Sequence, residues 1–136
     1  MKQGNQRVKG AVFERKIANI LKHIWPDARR GIQYRDGGKE ASDVVGTPYH
    51  VECSKGGESI WAKWGQAKDD ALRINLGDLP FPPIVIKQRD REEPVVMMSL
   101  KKWLELAMFK ASITMEFPDV SDVGWKDQYK KEFGNL

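Results

Sequence analysis

The chain switches repeatedly between two hydrophobic periods, one helical and one strand-like, and this switching restricts its fold more than any other feature. Phe13, Ile17, Ile20, Leu21 and Ile24 recur at helical spacing and predict an amphipathic helix over about residues 7–24. Trp25-Pro26-Asp27 ends it, because the residue before a proline is pushed out of the α region. Ile60, Trp64, Ala67, Ala71 and Ile74 mark a second helix that runs to about residue 76, opened by Ser59 or Glu58, with Ser59 the better N-cap. Ser99 caps a third, to about residue 109, with Leu100, Trp103, Leu104 and Ala107 on its apolar side. The strand-like stretches lie between these helices. Residues 49–54 alternate, and Ile84-Val85-Ile86 is β-branched and bounded by turn residues. Residues 28–34, 43–46 and 95–98 are weaker or shorter. Arg35-Asp36-Gly37-Gly38, Thr47-Pro48 and residues 55–59 and 89–94 supply the turns. The order is helix, three strands, helix, two strands, helix, which predicts an α/β fold with a mixed central β-sheet flanked by helices.

With 136 residues, one core is the expectation. Residues 115–136 show no steady period, so the expected division is a domain over 1–114 and a C-terminal arm or tail over 115–136. No apolar run approaches the roughly 20 residues that cross a bilayer. The opening MKQGNQRVKG is polar and basic, without the apolar stretch of a secretory leader. The single cysteine, Cys53, rules out an internal disulfide, and a reducing, cytoplasmic location is the expectation. Two histidines, His23 and His50, give no zinc-site spacing and are expected to be structural or surface residues.

The net charge of +4 is unevenly spread. Residues 1–55 hold eleven Lys/Arg against six Asp/Glu, whereas residues 115–136 hold three against five. A basic N-terminal half fits a phosphate-backbone partner as well as it fits a plain solvated surface.

The chemistry is concentrated in carboxylates. Asp43 heads a short strand, and nine residues later Glu52 follows in His-Val-Glu-Cys-Ser-Lys-Gly. The intervening Gly-Thr-Pro turns the chain back, so both acids can project towards one point. Two converging carboxylates make the oxygen-rich site that Mg²⁺ or Mn²⁺ prefers. Glu52 lies between Val51 and Cys53, where a buried charge must be paired or bound to a metal. Simple alternation would instead turn it to solvent.

Asp43, then Glu52 in an E-x-x-K stretch, resembles the motif of the PD-(D/E)xK nucleases. Lys9-Gly10 followed by Phe13-Glu14-Arg15, Arg29-Arg30 before the first strand, Ser42-Asp43-Val44 and Gln66 on the next helix are similar to the Holliday-junction resolvases of archaea and phages. Residues 83–98 resemble the phage members especially, and the likeness spans about residues 7–106. It implies a restriction-endonuclease-like fold and a homodimer that resolves four-way DNA junctions with Mg²⁺ or Mn²⁺. By position, it implies that Asp43, Glu52 and the Cys53 carbonyl bind metal, with Glu14 as a further carboxylate. Gln66 would orient the site or contact the scissile phosphate. Arg7, Lys9, Arg29, Arg30, Arg35, Lys39 and Lys63 would contact DNA. The dimer interface is expected on the second helix or the sheet edge.

One position departs from the family. The lysine expected two residues after the glutamate is Ser54, and Lys55 follows one residue later, on the opposite face by period-two alternation. Three readings follow: Lys55 reaches the site through a bulge at the strand end, favoured by Gly56-Gly57; Lys63 on the second helix substitutes; or the site is impaired. Ser54 and Lys55 therefore both stand as candidate catalytic positions. The alternatives to a resolvase are another DNA nuclease of this class (nicking, repair or restriction-like) and a junction-binding protein with a decayed site. Glu52 beside Cys53 disfavours a thiolate nucleophile. Trp61, Trp64 and Trp103 are expected to pack within helices, with Trp61 off the main stripe.

Overall fold

The computed structural model describes residues 2–31, 42–74, 81–116 and 124–134. In chain order the elements are α1 (Lys2–Leu21), β1 (Arg29–Arg30), β2 (Val44–Val45), β3 (His50–Lys55), α2 (Ile60–Ile74), β4 (Pro83–Gln88), β5 (Val95–Met97), α3 (Leu100–Glu116) and α4 (Trp125–Phe133). The five strands form one mixed sheet in the order β1-β2-β3-β4-β5. β1, β2 and β3 pair antiparallel, β3 and β4 pair parallel through the α2 crossover, and β5 folds back antiparallel on β4. The chain is thus α/β with a five-stranded mixed sheet flanked by helices. Among the described residues, no helix is long and apolar enough to cross a membrane.

The sheet's two faces take different helices, and strand alternation decides which residue meets which. Val44, Val51, Cys53, Ile84 and Ile86 share a core with Phe13, Ile17, Ala18 and Ile20 of α1. The intervening residues of β3 and β4 (His50, Glu52, Ser54, Val85 and Lys87) turn to the other face, under α2. There Ala67 and Ala71 are buried, and their small side chains let α2 sit close to β3 and β4.

Two glycines fix the approach of β1 to β2. The Gly31 amide donates to the carbonyl of Asp43 at 2.8 Å, and a side chain at position 31 would run into the backbone of Ser42. Gly46 has φ +84° and abuts the carbonyl of Asp27, so both its conformation and its space exclude other residues.

Several boundaries differ from expectation. α1 ends at Leu21 rather than near residue 24, and Ile24 is exposed, outside the stripe. The first strand is only Arg29–Arg30, and the rest of its expected range lies outside the described residues. β3 continues through Lys55, where a loop was expected. Ser99 does cap α3, its Oγ accepting from the Lys102 amide at 3.1 Å, but the helix runs on to Glu116. Its expected packing stripe is exposed at Leu100, Trp103 and Leu104. The C-terminal segment contains a helix, α4, that the sequence did not announce. α4 returns to α1, and Phe133 enters the core with its ring 6.4 Å from that of Phe13.

Candidate metal centre

The site lies just before the start of β2. The Ser42 hydroxyl stands in for a missing strand partner, accepting from the Val51 amide at 2.7 Å. The Asp43 amide donates to the Val51 carbonyl at 2.8 Å, and the Asp43 carboxyl then reaches across and accepts from the Cys53 amide at 2.8 Å. The N–H and C=O of a strand residue point the same way, so the Cys53 carbonyl also faces the Asp43 edge. Asp43 is thereby placed beside Glu52, and both are only 3 % exposed. Glu52 does not face solvent.

The two carboxyls are hydrogen-bonded to one another and behave oppositely. Burial, reinforced by the charges of Glu52 and Glu14, pushes Asp43 up to about 8 against the Cys53 hydrogen bond. Glu52 is also penalised by burial. Hydrogen bonds from His50 and Asp43 and the charge of Lys63 outweigh that penalty and hold it below its ordinary value. Near neutral pH the pair therefore shares one proton, carried by Asp43 and donated to Glu52. Burial raises the Cys53 thiol well above its usual value, and the charges of Asp43, Glu14 and Glu52 raise it further, so it is no thiolate.

Lys55 does not reach this site. β3 and β4 stay in unbroken register through Ser54↔Lys87 and Lys55↔Gln88, so there is no bulge to turn it over. Its ammonium lies on the α1 face, 2.9 Å from Gln88 Oε1 and 5.9 Å from the centre of the Phe13 ring. The cation beside Glu52 is Lys63 of α2, with Nζ 3.5 Å from Oε2 and a side chain only 15 % exposed. The sequence offered it either as a DNA contact or as a substitute lysine, and the structure places it beside Glu52. Burial lowers its pKa, but Asp43, Glu52 and Glu58 raise it further, and the net shift is upward, so the ammonium persists. Ser54 is buried and accepts from a different lysine, Lys87, at 3.2 Å. Lys87 also donates to the carbonyls of Gly56 and Glu58.

Glu14 of α1 is held at the same edge. Arg30 Nε donates to its Oε2 at 2.6 Å. That contact ties Arg30 to the site instead of leaving it wholly for phosphates. Arg29 is exposed and donates to the Asp27 carbonyl. Arg7 and Lys9 are exposed on α1, Gln66 is exposed on α2 one turn from Lys63, and Arg35 and Lys39 lie outside the described residues. A groove of about 210 Å³ on the α1 face gathers Lys9, Lys16 and Lys55 around Val8, Val12 and Phe13, with Asp90 at its rim 3.6 Å from the Lys55 ammonium.

Two groups at the site were not singled out from sequence. His50 is buried, not on the surface, and its Nε2–H donates to Glu52 Oε1 at 3.0 Å. Its position two residues before Glu52 on a strand was the available signal. Asp70 is a buried carboxyl between Ala67 and Ala71 on the apolar side of α2. One ligand atom from each of His50, Glu52 and Asp70 lies within 4.8 Å of the others. Among the described residues this is the one group of three acidic or imidazole side chains so gathered; on its other side Glu52 adjoins Asp43, whose carboxyl is tied to the Cys53 amide. Two carboxyls with a backbone carbonyl offer oxygen donors, the type hard divalent cations take, whereas His50 adds a nitrogen donor to the other group.

No protein-family model, curated protein or solved structure matches this chain.

Proposed function

We propose that the chain is a Mg²⁺- or Mn²⁺-dependent endodeoxyribonuclease of restriction-endonuclease-like fold that cleaves four-way DNA junctions. The observation that carries this reading is the buried Asp43–Glu52 pair at the start of β2, with the ammonium of Lys63 3.5 Å from Glu52. Two carboxylates and a lysine are the three groups this chemistry asks for, and here the lysine comes from α2 rather than from the strand. A divalent cation on these oxygens would supply the charge that polarises a phosphodiester and acidifies a water. Asp43 and Glu52 would hold it with the Cys53 carbonyl, and Glu14 is kept within reach by Arg30. Lys63 offsets the charge of Glu52 and offers a buried cation to the negative charge that builds on phosphorus. The groove with Lys9, Lys16 and Lys55 supplies sequence-independent contacts to backbone phosphates.

The test is cleavage of an end-labelled four-way junction with Mg²⁺, beside linear duplex and an Asp43→Asn control. Paired symmetric nicks in the junction, absent from the control, are expected. Equal cutting of linear duplex would assign a different nuclease activity, and tight junction binding without cuts would make the protein a binding module.

A further inference from the structure

Glu52 presents its two carboxylate oxygens to different neighbours. Oε2 faces the ammonium of Lys63 at 3.5 Å, and Oε1 faces Nε2 of His50 at 3.0 Å. His50 and Glu52 stand two apart on β3, so strand alternation sends both to the face under α2. Asp70 comes down to them from α2. The three residues are 3 %, 3 % and 5 % exposed, and one ligand atom of each lies within 4.8 Å of the other two. A helix position turned onto a sheet is ordinarily apolar, as Ala67 and Ala71 on either side are, and a carboxyl there costs desolvation. The group that Asp70 meets is a second carboxyl. Two carboxylates this close repel one another unless a proton or a cation lies between them.

We propose that His50, Glu52 and Asp70 form a separate cation site that takes Zn²⁺, distinct in its donors from the oxygens around Asp43. One imidazole nitrogen with two carboxylate oxygens is a donor set Zn²⁺ accepts, whereas Mg²⁺ takes oxygen and keeps several waters. All three ligands are buried, which leaves little room for a water shell and favours an ion content with four ligands. The 3.0 Å between Nε2 and Oε1 is close to the roughly 3.3 Å edge of a tetrahedron whose bonds are about 2.0 Å. Binding displaces the Nε2 proton to solvent, and the ring keeps its other proton on Nδ1. Spacing along the chain did not announce this set, because its third ligand comes from another element. The site stands whether or not Asp43 and Glu52 serve a nuclease.

The test uses the full chain, stripped with EDTA and loaded with one equivalent of Zn²⁺. X-ray absorption should show nitrogen and oxygen ligands at about 2.0 Å with the outer-shell scattering of one imidazole. His23 is the chain's other histidine and is exposed, so His23→Gln should leave that imidazole signal unchanged. A spectrum without imidazole, with sulfur at about 2.3 Å from Cys53, or with an imidazole signal that His23→Gln removes would overturn the proposal. Calorimetry gives the second reading. His50→Gln and Asp70→Asn should each weaken Zn²⁺ binding about 30-fold or more, since losing even a group that merely orients a ligand typically costs about 10–100-fold. Asp43→Asn should bind Zn²⁺ as the wild type does. Unchanged affinity in both His50→Gln and Asp70→Asn, or an equal loss in Asp43→Asn, would place the ion elsewhere and overturn the proposal. Zn²⁺ bound as described in a chain that cuts no junction would count against the nuclease reading alone.

Discussion

Lys63 Nζ stands 3.5 Å from Glu52 Oε2, across the gap between α2 and β3, whereas Lys55, three residues along the strand from Glu52, points to the opposite face of the sheet. Lys63→Ala should therefore lower the single-turnover cleavage rate by about 10²–10³-fold, the scale for losing one preorganised charge at a reacting centre. Lys63→Arg should keep part of the rate, and Lys55→Ala should affect binding more than turnover. A Lys55→Ala variant as slow as Lys63→Ala would reverse this assignment.

The Asp43–Glu52 pair sets a pH dependence in metal-free buffer. Asp43 is raised in the fold to about 8, against 3.8 as its reference value, so the folded state holds a proton that the unfolded chain releases. Its contribution is full below about pH 4 and is lost as pH rises towards 8. The slope is at most about 1.4 kcal/mol per pH unit. Glu52 is depressed and acts oppositely: its contribution is present above 4.5 and lost as pH falls through its lowered value. Urea unfolding in EDTA should show stability declining from pH 5 to pH 8, and Asp43→Asn should flatten that decline. A wild-type profile flat over this range would show that the pair does not share a proton.

Ser54 is buried against the ammonium of Lys87, so the family-like substitution is predicted to harm the fold. Ser54→Lys would put a second cation where one already uses the available carbonyls, at a cost of about 3 kcal/mol or more. The double variant Ser54→Lys/Lys87→Ser should recover much of that loss in a double-mutant cycle. If Ser54→Lys unfolds at the wild-type urea midpoint, the Lys87 contact is not what fills this position.

Arg30 and Glu14 form a half-exposed pair at 2.6 Å. As a surface pair it should contribute no more than about 1 kcal/mol to stability. Its effect on the site should be larger, since a group that orients a metal ligand typically changes affinity about 10–100-fold. Arg30→Ala should thus weaken Mn²⁺ binding, measured by calorimetry, while leaving the melting temperature nearly unchanged. Glu14→Gln should do the same, and unchanged affinity in both variants would remove Glu14 from the ligand set.

Local pattern made some of this architecture legible. α2 and β4 carry clear helical and β-branched signals, and Asp43 and Glu52 stood out because charge was placed where a strand should be apolar. α4 was not legible because its periodicity is nearly empty: Phe133 is its only buried residue, and one anchor makes no stripe. α3 shows the opposite limit, since its stripe was plain but a stripe does not say what will cover it.

The sequence by itself determined the alternation of helices and strands, the two acids that meet, and the mismatch at Ser54, because period and residue type are properties of neighbours along the chain. Which lysine serves Glu52, that His50 and Asp70 converge on it, that Lys87 fills the place beside Ser54, and that α3 turns its leucines outward were decided only in the tertiary structure. Those relations depend on the parallel register of β3 on β4 and on the way α2 crosses them, and a contact between elements leaves no period within either one.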